Sequence, residues 1–395
     1  MGLFQGKRLM KIQLGRIPPS SFQEYRYDVM FDGYKWDLQA GEQSTVTDGV
    51  VLLEPAQLDD LRAKAVALYQ ETIQMERLLQ KRPDLAVKMG ISKKMAVELC
   101  NCEVDPTAHV RFMRFDFHPT TKGWQISEVN SDVPAGYPEA SLLPQLAQRY
   151  FDGYCQSGNF GDLLVERLSR LTKPEGLIAY LHDTHTVEDY QIVHYLGDLM
   201  EKKGYRSFYC NPAHVKWKEH RAEGVEAIVR YFPVEWLEYE KGVDWRSFIH
   251  SKTTSCNHPI ALLTQSKRLP LVWDELGIEV PMWKQLLPET KCASTKRKGR
   301  GWILKPAFGR VGEGINIPGT LSLKEDLDIR KAAMENPIQW VAQRIFKSIP
   351  VEGQHLNFGV FVIDGEFAGL YARASKWAKI DSEASEMPVL VKESK

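Results

Sequence analysis

Asp116, Glu128 and Asn130 put two carboxylates and an amide oxygen within fifteen residues of a 395-residue chain. They sit in Arg111-Phe-Met-Arg-Phe-Asp-Phe-His118, a turn at Pro119-Thr-Thr-Lys-Gly123, and Trp124-Gln-Ile-Ser-Glu-Val-Asn130. Strand residues two apart share a face, so Arg114 lies with Asp116, and Glu128 with Asn130. A turn centred near residue 121 pairs 116 with 126 and 114 with 128. All four polar groups then share one face at one end of a hairpin. Three hard oxygens are the donors Mg²⁺ takes, at about 2.0–2.1 Å. Arg114 beside them is free to hold a carboxylate or phosphate. The same alternation also describes the solvated face of an ordinary antiparallel hairpin. Phe112 and Trp124 at the flanks argue against full solvation.

A second cluster reads Trp302-Ile-Leu-Lys305-Pro-Ala-Phe-Gly309-Arg310-Val-Gly312-Glu-Gly314-Ile-Asn-Ile. An apolar strand delivers Lys305, and three glycines let backbone N–H groups approach a phosphate. Lys305 and Arg310 can neutralise its charge. The alternative is a tight β-hairpin whose glycines serve only the turn. Gln343, on the apolar strand Trp340-Val-Ala-Gln343, suits an adenine edge, although a plain core strand explains it as well. Arg373 ends the strand that follows an Asp364-Gly365 turn; in isolation it reads as a surface charge.

These residues need elements to hold them. Leu58, Leu61, Ala65, Leu68 and Ile73 recur at helical spacing over Pro55–Leu79, and a second helix is expected over Ser92–Cys100. Residues 1–50 read as irregular, and Pro138 to Tyr154 as helical. Gly176–Leu181 is a strand, followed by a helix capped by Asp183 or Thr184 and ended by Gly204. Glu188 and Asp189 in that helix suit an ammonium ligand or, more simply, the helix dipole. Ala227–Phe232 is another strand, so part of the sheet is parallel. Asp364-Gly365 between apolar runs is a hairpin turn. The basic stretch 291–301 is the best internal boundary. The division expected is 1–110, an N-terminal segment packed on the core; 111–290, the acidic hairpin with an α/β domain; and 291–395, a nucleotide-binding lobe.

Composition narrows the function. Fifty-one Lys plus Arg balance 51 Asp plus Glu, which gives no summed positive field for nucleic acid. No apolar run is long enough for a membrane span, and MGLFQGKRLM has no secretory h-region. Six scattered cysteines without C-x-x-C suit free thiols in the cytoplasm rather than disulfides or zinc. P-loop, zincin, serine-hydrolase and protein-kinase signatures are missing.

Together the segments resemble the synthetase module of the glutathionylspermidine synthase family, within the ATP-grasp superfamily. Asp116-Phe-His-x(9)-Glu128-x-Asn130 is similar to that family's magnesium pattern, with Arg114 where an arginine stands near the reacting groups. Ser266-Lys267-Arg-Leu-Pro-Leu-Val-Trp resembles its first nucleotide-lysine segment and Lys305-Pro-x-x-Gly-Arg-x-Gly its second. Gln343, Gly369-Leu-Tyr-Ala-Arg373 and Met387-Pro-Val-Leu-Val-Lys resemble the adenine strand, the arginine segment and the C-terminus. The resemblance implies an α/β (α+β) ATP-grasp fold with a pre-ATP-grasp parallel-sheet domain. It implies ATP and one or two Mg²⁺, with Asp116, Glu128 and Asn130 on the metal. Lys267, Lys305, Gly309, Arg310, Gly312 and Gln343 would bind nucleotide, and Arg114 and Arg373 would be catalytic. Residues 306–316 would form a lid. The activity implied joins a small-molecule or peptide carboxylate to an amine through an acyl phosphate. Glutathione-using members show serines just after Glu-x-Asn; the run here, Asn130-Ser131-Asp132-Val133-Pro134-Ala135, departs from that and argues against glutathione. No room exists for an amidase domain. A non-catalytic ATP-binding scaffold and a small-molecule kinase are the alternatives.

Overall fold

The computed structural model describes residues 12–41, 43–294, 301–310 and 312–393. The opening decapeptide and most of the basic stretch 291–301 lie outside them. At the centre is a five-stranded antiparallel sheet. Its order is Ser385–Met387, Glu366–Ser375, His355–Ile363, Phe112–Thr120, Gly123–Asn130. The acidic hairpin therefore pairs with strands from the C-terminal third. Asp364 and Gly365, at φ +48° and +85°, turn the chain between two of them, as their types require.

The helix Pro55–Leu79 forms where its apolar spacing places it and lays Leu58, Leu61, Ala65, Leu68, Met75 and Leu79 into the core. Glu76 is on the same buried face. Its carboxylate takes Arg111 Nη2 at 2.7 Å, and Arg111 Nη1 reaches the carbonyls of Phe112 (2.8 Å) and Ser131 (2.5 Å). One buried ion pair thus ties the helix to both strands of the hairpin at their open end.

The hairpin register differs from the sequence reading. Thr120 faces Gly123 and Phe117 faces Ile126; past a bulge, Phe115 faces Val129 and Arg114 faces Asn130, not Glu128. Asp116 stands across from Ser127 and Glu128 rather than Ile126. The turn has only two residues, with Gly123 at φ +100°, which is tighter than a turn centred on 121. An unbroken ladder from it would put Ser127 and Val129 on Asp116's face. The extra residue of the bulge reverses the alternation and returns Glu128 and Asn130 to that face.

A four-stranded parallel sheet follows the order Thr254–Cys256, Ala227–Arg230, Leu177–Leu181, Arg206–Cys210. The helix after its first strand runs Val187–Glu201, later than expected, because Asp183 Oδ1 instead accepts from His185 N in a separate turn. Two further expectations fail. Pro19–Phe31 is helical rather than irregular, since proline suits the first helical position. In 138–154 only Leu142–Gln148 is helix, and Gly153 at φ +75° turns the chain into a strand at Tyr154–Gln156.

Trp340–Arg344 pairs antiparallel with Trp302–Pro306 on one side and Thr290–Cys292 on the other. The run after the glycines forms no second hairpin strand. Asn316 meets Leu304 through its backbone N–H (3.3 Å) and through its side-chain oxygen, which accepts from Leu304 N, and Pro318 follows.

Glu76→Ala strands Arg111 as a buried unpaired cation, so unfolding in urea should show a loss of about 3–5 kcal/mol. A loss below about 1 kcal/mol would show that the pair does not anchor the hairpin.

Candidate active site

A cavity of about 690 Å³ opens between the hairpin face, the glycine turn and the strand Glu366–Ser375. Arg114, Asp116, Glu128 and Asn130 enter it from the hairpin, Lys305, Arg310 and Gly312 from the lysine strand and its turn, and Arg373 from the far side. A second cleft of about 20 Å³ shares Ser127 and Glu128 with it and is lined by Lys267 and Gln343. Gly309 lines neither, but its carbonyl accepts from Lys267 Nζ at 2.6 Å.

Arg114 is not free, as the sequence reading had it. Nε and Nη2 take the two oxygens of Asp116 at 2.8 and 3.0 Å; Nη1 takes the Ala135 carbonyl at 2.7 Å and the Tyr371 hydroxyl at 3.1 Å. Four of its five donors have protein partners. Asn130 Nδ2 donates to Asp116 at 3.2 Å, which turns its carbonyl oxygen away from that carboxylate. Glu128 Oε2 is 3.1 Å from Lys267 Nζ. Burial alone would raise the Glu128 carboxyl, but the ammonium groups of Lys267 and Lys305 overturn this and hold it well below the usual carboxylate range.

Lys305 is 4% exposed, and its Nζ reaches only the Ser127 carbonyl, at 3.2 Å. Burial pulls the ammonium down to about 8, against the pull of Glu128 and with Lys267 adding to it. Among the described residues it has no carboxylate of its own. Arg310 is held by Glu235 at 2.8 Å and covers Trp236. Gly312, at φ +71°, packs so tightly that a Cβ would come within 2.8 Å of the Ile380 carbonyl. Arg373 donates to the Asp381 carbonyl. Gln343 Nε2 donates to Thr290 at 3.1 Å, and its Oε1 is buried without a partner.

The residues fit a divalent cation. Glu128 Oε1, the Asn130 carbonyl oxygen and the remaining lone pairs of Asp116 are hard donors on one face. Among the described residues no group of three or more His, Cys, Asp and Glu is placed to hold a metal, and here the third oxygen is an amide's.

Sequence reasoning missed several wall residues. His118, two residues from Asp116, accepts at Nε2 from Ser127 (3.1 Å) and Asn357 (3.0 Å); burial and Lys305 push it down to about 3, so it stays neutral. Tyr371, two residues before Arg373, was legible by the same alternation. Lys35, 2.8 Å from both Glu139 and Glu386 at the far end of the cavity, had no signal, since it lies in the segment read as irregular.

An antiparallel sheet that carries acids, meeting a lysine strand and glycine turn beside a parallel α/β unit, defines an ATP-grasp protein with a pre-ATP-grasp domain. More particularly, the chain belongs to the glutathionylspermidine synthase preATP-grasp family, whose model matches residues 19–392. The fold is shared with a glutathione synthetase-like effector from Globodera pallida, solved in apo form, at TM-score 0.60 and 12% identity over 95% of this chain and 99% of that one. A putative gamma-glutamylcysteine synthetase from Methylobacillus flagellatus KT aligns at TM-score 0.45 and 13% identity, over 80% and 86% of the two chains. D-alanine–D-alanine ligase from Bacillus anthracis aligns at 0.30 and 10%, over 55% and 86%. No curated protein matches. Among the described residues no helix is long and apolar enough to cross a membrane.

Lys305 makes the site's charge measurable. The folded chain gives up this proton near pH 8 and the unfolded chain near 10.5. The burial cost is therefore full below pH 8 and fades as pH rises toward 10.5, a span of about 3 kcal/mol. Lys305→Met should raise stability at pH 7 by an amount of that order, and the gap from the parent should close by pH 10.5. Parallel stability curves across that window would refute the assignment.

Proposed function

We propose that the chain is an ATP-dependent acid–amine ligase acting through an acyl phosphate. The observation that carries this is Lys305, a buried ammonium without its own carboxylate, facing an acid-bearing hairpin across one cavity. Such a cation is stabilised by an anion that arrives with the ligand. Family membership supports ATP as that ligand.

A carboxylate is a poor electrophile because oxide would have to leave. Phosphorylation turns it into an acyl phosphate, and an amine then displaces phosphate. Phosphoryl transfer depends mostly on positioning and charge neutralisation. Lys267 and Lys305 would take the phosphates, with Gly309 and Gly312 shaping the turn over them and Arg310 at its side. The unpartnered Gln343 oxygen would accept from the adenine amino group. Asp116, Glu128 and Asn130 would hold Mg²⁺, which supplies positive charge to the phosphate oxygens. Arg114 fixes Asp116, and Arg373 would face the transferring group. The acyl phosphate must be shielded from water, and the cavity wall supports that through Val133, Ala135 and Tyr371. Small-molecule or peptide acids and amines are the partners proposed. Six cysteines with no disulfide among the described residues support a reducing, cytoplasmic setting.

With Mg-ATP and pooled amino acids, peptides and polyamines, ADP and phosphate should appear only when acid and amine are both present. No ADP from any pool would sink the reading, and a stable phosphorylated product would replace it with a kinase. Glu128→Gln should lower turnover at least 10²-fold while the circular dichroism spectrum stays unchanged; near-normal turnover would remove Glu128 from the metal site.

A further inference from the structure

The protein takes four of the five Arg114 donors, and one of them holds a tyrosine hydroxyl on the cavity wall. Tyr371 is 3% exposed on the cavity wall, and its oxygen accepts from Arg114 Nη1 at 3.1 Å. Its own proton therefore points elsewhere, and no described residue accepts it. A buried donor left unmet is costly unless a ligand meets it. The ring packs directly against two glycines. A Cβ on Gly136 would come within 2.5 Å of it, and one on Gly359 within 2.6 Å. Gly136, at φ +104°, is the residue after Ala135, whose carbonyl Arg114 also holds. The slot, the guanidinium and the hydroxyl thus form one rigid unit. Burial raises the phenol to about 12, so it is a donor throughout the working range.

We infer that Tyr371 is a further catalytic residue, whose hydroxyl donates a hydrogen bond to the acyl oxygen of the acid substrate where the sequence alone pointed to Arg114. This deepens the ligase reading and rests on it. One carboxylate oxygen attacks the γ-phosphorus, and the bond to ADP breaks. The other carboxylate oxygen becomes the carbonyl of the acyl phosphate. The amine nitrogen adds to that carbon, and the C=O electron pair moves onto oxygen. The pair returns as phosphate departs with the proton the amine loses. Tyr371 keeps its own proton and bonds to the same oxygen at each stage. The bond strengthens as negative charge grows there, and Arg114 behind the hydroxyl polarises it further. The donor is placed in advance by two glycines and needs no reorganisation during the reaction.

Tyr371→Phe keeps the ring in its slot and removes only the hydroxyl, so the melting temperature should stay close to the parent's. The test supplies Mg-ATP, a pool of amino acids, dipeptides and tripeptides, and hydroxylamine as the amine, and reads hydroxamate. The parent should form it. The variant should form it about 10²–10³-fold more slowly, with ATP affinity by titration within twofold of the parent. A variant rate within threefold of the parent's would overturn the role of Tyr371 and leave the ligase reading standing. A parent that forms no hydroxamate from any pool would overturn both. A variant that loses ATP affinity in proportion to rate would show that Tyr371 merely shapes the nucleotide site.

Discussion

One extra residue in a strand decides whether this site exists. The two-residue turn before Gly123 sets a ladder in which Asp116 would face Ser127, leaving Glu128 and Asn130 on the opposite face, among core aromatics. Burying a lone carboxylate there would cost several kcal/mol. The bulge between the Phe117 and Phe115 pairings moves both residues to the cavity face in one step. It also leaves the Ser127 carbonyl outside the regular ladder, and among the described residues that carbonyl is the acceptor Lys305 reaches. The acids and the lysine strand are therefore joined through the same irregularity. Glu76 and Arg111 hold the open end of the hairpin, so the bulge cannot relax by sliding the register.

The charges set the next constraint. Lys267 and Lys305 both draw on Glu128, and Asp116 is neutralised by Arg114. Protein anions do not fully balance the cations beside the glycine turn. Polar groups left short in a buried site are a store of binding free energy, at the expense of the empty protein's stability. The cleft beside Gln343 holds about 20 Å³, little more than one water molecule. In the ligase we propose, a purine would enter there only if the three-stranded sheet that carries Lys305 and Gln343 moved away from the hairpin. The Lys267–Glu128 pair spans that gap. In the ligase we propose, phosphate bound to Lys267 would weaken its hold on Glu128 and free that carboxylate for a cation.

Much of the architecture was legible because local chemistry and tertiary demand agree. The helix Pro55–Leu79, the Asp364-Gly365 turn and the parallel strands carry their own signals in period and turn chemistry. The acids were read from an alternation that shares a face and is local, and Lys305 with its glycines from a strand followed by a turn, whereas Lys267 came only from the family resemblance. The register was not legible: a bulge leaves no mark in an alternating pattern, and Glu-x-Asn reads the same on either face. The Pro19–Phe31 helix was hidden by proline pairs that look like a breaker and act as a start. Lys35 was invisible because its reason for burial lies in Glu139 and Glu386, more than a hundred and three hundred residues away.

Arg114 shows where sequence reasoning stops for a physical reason. Its position, two residues before an acid on one strand face, states that a guanidinium is present. It does not state how many donors remain, because that depends on Ala135 and Tyr371, which come from a loop and a distant strand. A guanidinium with five donors and four protein acceptors is a scaffold, and its charge acts on a ligand through what it holds. Asp116 is oriented by two of those bonds and Tyr371 by another. The pair Gly136 and Gly359 belongs to the same device, since any side chain at either would displace the ring and break the third contact. The local motif therefore names the polar residues of the cavity, while non-local packing decides which donors they still present to it.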